Sequence, residues 1–108
     1  MDRNKGRQRR QTDTKPESLR LALHPHRTRI LARLGQSSSY PSLLARELDL
    51  NPKLIQFHLS ALEKANLVSG MFELESTGYP RPRAVKSYAL TEDGLKILSL
   101  VASLVTFE

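Results

Sequence analysis

A three-residue turn, Asp49-Leu50-Asn51, lies between two short amphipathic segments and constrains the fold more than any other feature. The segment before it carries apolar residues at helical spacings: Leu43, Leu44, Ala45 and Leu48. The segment after it carries one stripe at i, i+4 and i+7: Ile55, Leu59 and Leu62. Ser42 is the predicted cap of the first helix, and Asn51, followed by Pro52, is that of the second. Two helices joined by so brief a turn cannot lie antiparallel, so the pattern predicts a helix-turn-helix.

Two further helices are predicted upstream of this pair. Thr14 as cap and Pro16 in the first turn begin a short helix, which ends before Pro25 because proline disfavours helix at the residue before it. The next helix begins near Pro25, and Gly35 with the polar run after it ends that helix. Its predicted inner face consists of Ile30, Leu31 and Leu34.

Beyond residue 66 the apolar period changes to that of strands. Residues 67–75 and 84–90 are predicted to form a β-hairpin, joined by a turn-rich loop in which prolines flank Arg81 and precede Arg83. Thr91 is the predicted cap of a last helix that extends to Phe107.

Composition sets limits on this chain of 108 residues, which fits one domain. It contains no cysteine, which excludes disulfides, thiolate chemistry and cysteine-ligated zinc. No stretch approaches the roughly 18 apolar residues of a membrane span, and the basic N-terminus does not resemble a secretory signal. A cytoplasmic protein without membrane contact is expected.

The positive charge is concentrated at the N-terminus. Residues 1–15 supply +4 of a net charge of +6. Residues 1–13 have no apolar side chain after Met1, so they are predicted to be a disordered basic tail before a folded domain of residues 14–108. A basic chain is attracted to polyanions such as nucleic acid, although charge alone does not identify the partner.

Three segments together resemble one known family. Residues 23–31 (LHPHRTRIL) are similar to the opening of ArsR-like winged-helix repressors, and residues 45–68 (ARELDLNPKLIQFHLSALEKANLV) are similar to their helix-turn-helix. Residues 88–94 (YALTEDG) resemble the strand-to-helix exit of ArsR-like and MarR-like proteins. The Arg81-Pro82-Arg83 loop looks most like a small archaeal and bacterial subgroup of dimeric regulators. The resemblance implies a mainly α fold with a small β-hairpin, a winged helix-turn-helix that dimerises through its terminal helices.

The same resemblance implies a transcriptional regulator, usually a repressor, that binds an inverted repeat in double-stranded DNA as a homodimer. The helix after the turn would enter the major groove, with the hairpin as a wing. Gln56 suits adenine, whereas Phe57 either contacts a thymine methyl or folds against the wing or the preceding helix. The candidate DNA-binding residues are Ser42, Lys53, Gln56, Phe57, Ser60, Lys64, Tyr79, Arg81 and Arg83.

The last helix is apolar around most of its circumference, which exceeds the single stripe that a surface helix needs. A second copy of the chain is the expected cover. The candidate dimer residues are Leu19, Leu23, Leu95, Leu98, Val101, Ala102, Leu104 and Val105.

Several functions find no support in the sequence. Metal-sensing ArsR repressors carry a cysteine pair where this chain has residues 47–50 (ELDL), and the last helix has no histidine. The three histidines, His24, His26 and His58, are expected to cap, pack or contact phosphate, so no metal or other cofactor is predicted. No catalytic constellation is present, and no enzyme activity is expected. An effector stays open, and a winged-helix module for protein or RNA docking is the alternative.

Overall fold

The computed structural model describes residues 16–75 and 83–105. Within these ranges the chain forms five helices and one antiparallel hairpin. The elements in chain order are α1 (Pro16–Ala22), α2 (Pro25–Leu34), α3 (Pro41–Leu48), α4 (Pro52–Lys64), β1 (Val68–Glu75), β2 (Arg83–Leu90) and α5 (Glu92–Val105). This order confirms the predicted mainly α architecture with a small hairpin. Thr14, the tail and Phe107 lie outside the described residues.

Side chains that precede the helices satisfy amide groups in their first turns. The Asn51 side-chain oxygen accepts a hydrogen bond from the Lys53 amide at 2.7 Å, and the Thr91 hydroxyl accepts one from the Gly94 amide at 2.9 Å. His24 caps α2, because its Nδ1 atom accepts from the His26 amide at 3.0 Å. The caps predicted at Asn51 and Thr91 are therefore confirmed.

One predicted helix start differs in the structure. Ser42 does not cap α3, which begins two residues earlier than a Ser42 cap implies, because Pro41 has the backbone angle of a first helical residue. The residue before it, Tyr40, makes no side-chain capping bond, and its carbonyl accepts from the Leu44 amide at 2.9 Å. Gly35 ends α2 as predicted, and its backbone lies in the right-handed region at φ −65°.

The core lies where α2, α3 and α4 meet the base of the hairpin and α5. Its buried apolar residues are Ala22, Ile30, Leu31, Leu34, Leu44, Ala45, Ile55, Leu59, Leu62, Leu67, Val68, Tyr88, Ile97 and Val101. The predicted inner stripes of α2 and α4 are all among them, which confirms those faces. Burial of each large aliphatic side chain contributes roughly 1.5–3 kcal/mol, so this cluster is the main source of stability.

The hairpin is attached to the helices at its base. β1 and β2 pair from Val68 with Leu90 to Glu75 with Arg83. Ser39, between α2 and α3, pairs with Tyr88 on the other edge of β2, with amide–carbonyl distances of 3.0 and 2.8 Å. This extra pairing buries Ser39 and Tyr88 and fixes the direction in which the hairpin leaves the core.

Helix α5 packs one side on the core and exposes apolar groups on its flanks. Val101 is only 5% exposed and packs within its own chain, so it offers almost no surface to a partner, in contrast to its predicted role. Leu19 and Leu98 are half-buried against the same core. Exposed apolar groups remain at Leu23, Leu95, Leu100, Ala102 and Leu104, while the side chain of Val105 lies outside the described set. None of the helices over residues 16–75 and 83–105 is long and apolar enough to cross a bilayer.

Gly94 provides a test of the contact between α5 and the start of β1. A Cβ atom at Gly94 would lie 2.0 Å from the Leu67 carbonyl oxygen, a backbone atom that cannot rotate away. We expect Gly94→Ala to cost about 1–3 kcal/mol or more of unfolding free energy, which corresponds to about 4–8 °C per kcal/mol in thermal denaturation. Gly35→Ala is the matched control, because its nearest neighbour is the flexible end of Leu98 at 2.8 Å. Equal midpoints for the two variants would contradict this packing.

Candidate nucleic-acid interface

The turn between α3 and α4 owes its shape to one residue in the left-handed region. Asp49 has φ 59° and ψ 50°, a conformation that aspartate tolerates better than most residues. The next amide, that of Leu50, donates to the Ala45 carbonyl at 3.0 Å, and the Leu50 side chain packs against the core. Asn51 then returns to extended geometry and caps α4. The chain thus reverses within three residues, and the direction of α4 is set relative to α3.

Arginines of α2 hold the end of α3 in place. The Arg29 guanidinium donates to the Leu48 carbonyl at 2.7 Å, which satisfies an acceptor left open at the helix end. Arg33 donates to the Glu47 carboxylate, also at 2.7 Å. Both bonds lie near the surface, so their effect is to position α3 more than to stabilise the fold.

The face of α4 opposite the core is exposed along its length. The predicted recognition residues Lys53, Gln56, Phe57, Ser60 and Lys64 are all exposed, whereas Ile55, Leu59 and Leu62 are buried. The structure therefore separates the two faces of α4 as the sequence pattern predicts. Two ammonium groups and one carboxamide lie on the exposed face, and each can donate hydrogen bonds.

Phe57 lies on the surface rather than in the core. Its side chain is 62% exposed, and its ring meets the His58 ring edge-on with centroids 5.2 Å apart. The Arg27 guanidinium of α2 lies 5.9 Å from the Phe57 centroid. The contacts of the ring are with its own helix and with α2, so among the described residues it does not fold against the hairpin.

A cleft lies between α4, the hairpin and the start of α3. Its lining consists of Tyr40, Pro41, Ser42, Gln56, Arg83, Val85 and Lys86. The fold thereby gathers three predicted site residues, Ser42, Gln56 and Arg83, which are far apart in sequence. Tyr79 and Arg81 lie outside the described residues.

Sequence reasoning missed Tyr40 and Lys86 as residues of this cleft. The Tyr40 hydroxyl lies 3.4 Å from the Glu73 carboxylate, which also accepts from the Ser87 hydroxyl at 3.1 Å. Lys86 reaches Glu63 of α4 at 3.4 Å. These bonds join the hairpin to both helices. Alternation along β2 was the only signal for Lys86, and it does not show which side of the strand adjoins α4.

The charge of Lys86 is maintained by its neighbours. The side chain of Tyr88 accepts its hydrogen bond and Glu63 adds a negative charge, and together they raise the pKa of Lys86 above its ordinary value. The ammonium group also lies 5.1 Å from the Tyr88 ring centroid and 5.6 Å from that of Phe72. Lys86 is therefore a cation at neutral pH beside the cleft.

The three histidines form one cluster behind this face, and His58 is more buried than expected. His58 is 2% exposed, and its Nδ1 atom accepts from the Arg27 Nε–H at 2.9 Å. Its pKa is lowered, first by burial and then by the charges of Arg27, His24 and His26. In the part of the chain that the structure describes, no group of three or more histidine, aspartate or glutamate side chains is arranged to hold a metal ion.

Comparison with family models gives one match. Residues 24–69, less than half of the chain, match the model described as bacterial regulatory protein, arsR family. These residues are therefore similar to the helix-turn-helix domain of that family. The domain includes α2, α3, the turn, α4 and the first residues of β1, so it contains the exposed face of α4 but little of the hairpin.

Solved structures extend the likeness beyond the ArsR-family domain. HlyU from Vibrio cholerae N16961 is 19% identical with a TM-score of 0.64, over 97% of this chain and 98% of that one. The transcriptional repressor BigR from Xylella fastidiosa is 13% identical with a TM-score of 0.64, over 94% and 92%.

A third structure is longer than this chain. The adhesin competence repressor AdcR from Streptococcus pyogenes is 22% identical with a TM-score of 0.61 over 72% of this chain, which spans only 54% of AdcR. No curated protein matches. At these identities the likeness shows the fold, which is a winged helix-turn-helix.

The exposure of Phe57 has a measurable consequence. We expect Phe57→Ala to change the unfolding free energy by less than about 1 kcal/mol, because it removes only surface contacts and the Arg27 cation–π contact. Leu59→Ala, two residues along the same helix, should cost about 2–5 kcal/mol, since Leu59 is buried. Urea denaturation of both variants measures the difference. A cost for Phe57→Ala in the range of Leu59→Ala would mean that the ring belongs to the core.

Proposed function

We propose that this protein is a sequence-specific regulator of transcription that binds double-stranded DNA and has no catalytic activity. The observation that carries the proposal is the exposed polar face of α4 beside a cleft that brings Ser42, Gln56 and Arg83 together. The ArsR-family match over these helices supports it. The HlyU and BigR likenesses support the fold on which it depends.

In this proposal α4 enters the major groove. The Gln56 carboxamide can pair with adenine N6 and N7, and Phe57 can contact a thymine methyl group. Lys53 and Lys64 carry charges that phosphate attracts, and Ser60 can donate a hydrogen bond to either base or backbone. Only the contact at Gln56 would read sequence strongly, while the lysines would set affinity.

The hairpin would act as a wing against the DNA backbone or minor groove. Arg83 and Lys86 already border the cleft beside Gln56, so a duplex on α4 would lie near them. Tyr79 and Arg81 would extend the same surface, and the basic residues 1–13 would follow phosphates as an arm. Arginine in a narrow minor groove is a common mode of such binding.

The protein would bind an inverted repeat as a homodimer and act as a repressor. Leu100 and Leu104 are four residues apart on one flank of α5, and Leu95 and Ala102 are seven apart on another, all exposed in the single chain. Leaving each large apolar group in water forgoes roughly 1.5–3 kcal/mol. A two-fold interface that includes Leu23 and these flanks, with Leu19 and Leu98 at its edge, would place two copies of α4 about 34 Å apart.

Metal sensing is not included in this proposal. The chain has no cysteine, and the Nδ1 lone pairs of His24 and His58 are already used as hydrogen-bond acceptors. An effector of another kind is compatible with the fold but has no assigned site.

A docking module for protein or RNA is the second candidate. Three exposed apolar residues of β1, Met71, Phe72 and Leu74, favour it together with Phe57, because such groups seldom stay in water without a partner. Their surroundings include Lys86 and Arg83, so an acidic partner would fit this alternative. A docking module of this kind would show no preference among DNA sequences.

Selection of duplexes from a random pool tests the main proposal. We expect an enriched sequence, on which Gln56→Ala loses about 1–3 kcal/mol of binding while random duplex is bound as before. Arg83→Ala should weaken both duplexes and reduce the slope of log affinity against log salt by about one unit. Ser99→Ala, exposed on α5, is the control. Failure to enrich any sequence, or equal losses on both duplexes for Gln56→Ala, would contradict base reading.

Leu104 is the position chosen to test the homodimer, because its side chain is 56% exposed whereas that of Val101 is buried. Sedimentation of the unmutated protein at roughly tens of micromolar should give a dimer, and Leu104→Glu should give a monomer with weaker binding to the selected site. Ser103→Glu adds the same charge at an exposed neighbouring position that faces away from this flank, and it should stay dimeric. A monomeric unmutated protein would refute the homodimer.

A further inference from the structure

Arg27 of α2 connects three helices through one guanidinium group. Its Nε–H donates to Nδ1 of His58 on α4 at 2.9 Å, and its terminal nitrogen donates to the Leu21 carbonyl at the end of α1 at 3.3 Å. The same guanidinium lies 5.9 Å from the Phe57 ring centroid. Arg27 therefore holds α4 from behind while it also supports an aromatic residue on the exposed face.

The bond between Arg27 and His58 exists only in one protonation state. Because Nδ1 of His58 accepts the hydrogen bond, the neutral ring carries its proton on Nε2. That Nε2 atom is buried and has no hydrogen-bond partner among the described residues. Protonation would place an Nδ1–H group against the Arg27 Nε–H, which converts an attraction into a contact between two donors and two positive charges.

The charged and titratable groups that act on His58 all oppose its protonation. His24 lies 4.6 Å away and His26 5.7 Å away between ring centroids, and both precede or begin α2. Arg27 completes the set of charged or titratable groups that act on His58, and no carboxylate is among them. On its own helix the ring contact of His58 is with the uncharged Phe57, and on α1 the Leu21 carbonyl accepts a hydrogen bond from Arg27. A protonated His58 would place a second positive charge beside that of Arg27, on a ring that is buried.

We propose that Arg27 and His58 form a pH-sensitive tie between α2 and the recognition helix α4, which is intact at neutral pH and released in mild acid. Release would free the guanidinium, and Phe57 would lose its support on the exposed face. The existence of the tie depends only on the fold, whereas its effect on DNA reading rests on the proposed function.

The direction of the stability change follows from the protonation states. Burial, then Arg27, His24 and His26, lower the pKa of His58 below its ordinary 6.5 in the folded protein. The unfolded chain therefore binds more protons at this position, and stability falls as the pH drops. The contribution of His58 is complete above pH 6.5 and is lost between 6.5 and the lower pKa of the folded state.

Imidazole nitrogen spectroscopy of the full-length chain tests the tie directly. Across about pH 8 to 5, a range that spans the ordinary imidazole pKa, we expect His58 to be an Nε2–H tautomer whose pKa lies below the ordinary 6.5. The Phe57 ring resonances should shift together with the His58 titration. An Nδ1–H tautomer, or a His58 pKa at or above 6.5, would overturn the proposal.

His58→Asn separates titration from hydrogen bonding, because the asparagine side-chain oxygen can take the place of Nδ1 as the acceptor for Arg27. We expect the unmutated protein to lose several degrees of thermal midpoint between about pH 8 and 5.5, and His58→Asn to lose clearly less. His24→Asn is the matched control: it keeps a capping side chain at α2 and should retain most of the acid-induced loss. Parallel curves for the unmutated protein and His58→Asn would refute the tie.

The two proposals can fail independently. If no DNA sequence is enriched but the His58 titration is as described, the regulator function is refuted and the tie remains. If a selected duplex is bound with the same preference and affinity at both pH values by the unmutated protein and by His58→Asn, the tie has no influence on DNA reading. The tautomer and midpoint measurements do not depend on DNA. The tautomer measurement uses only the unmutated protein, so it also decides the question if His58→Asn does not fold.

Discussion

The reversal of the chain at Asp49 determines how the exposed face of α4 is presented. One residue in the left-handed region, followed by a buried leucine and a capping asparagine, turns the chain within three residues. If the turn were longer, α4 could settle alongside α3 and bury its polar side. The short turn instead places α4 across α3, so that Ile55, Leu59 and Leu62 fill the core and Gln56 and Ser60 stay in solvent.

The hairpin depends on this arrangement because a two-stranded ribbon has little stability of its own. It is fixed by the backbone pairing of Ser39 with Tyr88 and by side-chain bonds from Tyr40 to Glu73 and from Glu63 to Lys86. These bonds come from α4 and from the two residues that directly precede α3. The same parts of the chain therefore hold both the hairpin and the exposed face of α4, and the cleft between these two surfaces results from that packing.

Helix α2 supports the same face from the opposite side. Three of its arginines donate hydrogen bonds along this side: Arg33 to Glu47, Arg29 to the last carbonyl of α3, and Arg27 to His58 of α4. Two of these bonds lie near the surface, where solvent weakens them. The third ends on a buried imidazole, so we expect it to be the bond of the three that protonation in mild acid breaks.

The sequence by itself determined the elements and the inner faces of this protein. The local sequence was sufficient to predict Asn51 and Thr91 as caps, the buried stripes of α2 and α4, and the alternating strands. Each of these features depends on residues that are close together in the sequence. Where proline and serine competed to begin α3, the pattern alone favoured Ser42, and the fixed backbone angle of Pro41 prevailed. The tertiary structure decided what adjoins what: Lys86 beside the cleft, Val101 inside the core, and three histidines gathered around Arg27. The Ser87–Glu73 and Arg27–His58 hydrogen bonds, for example, join residues 14 and 31 positions apart, and such geometry depends on how whole helices pack, which no local spacing specifies.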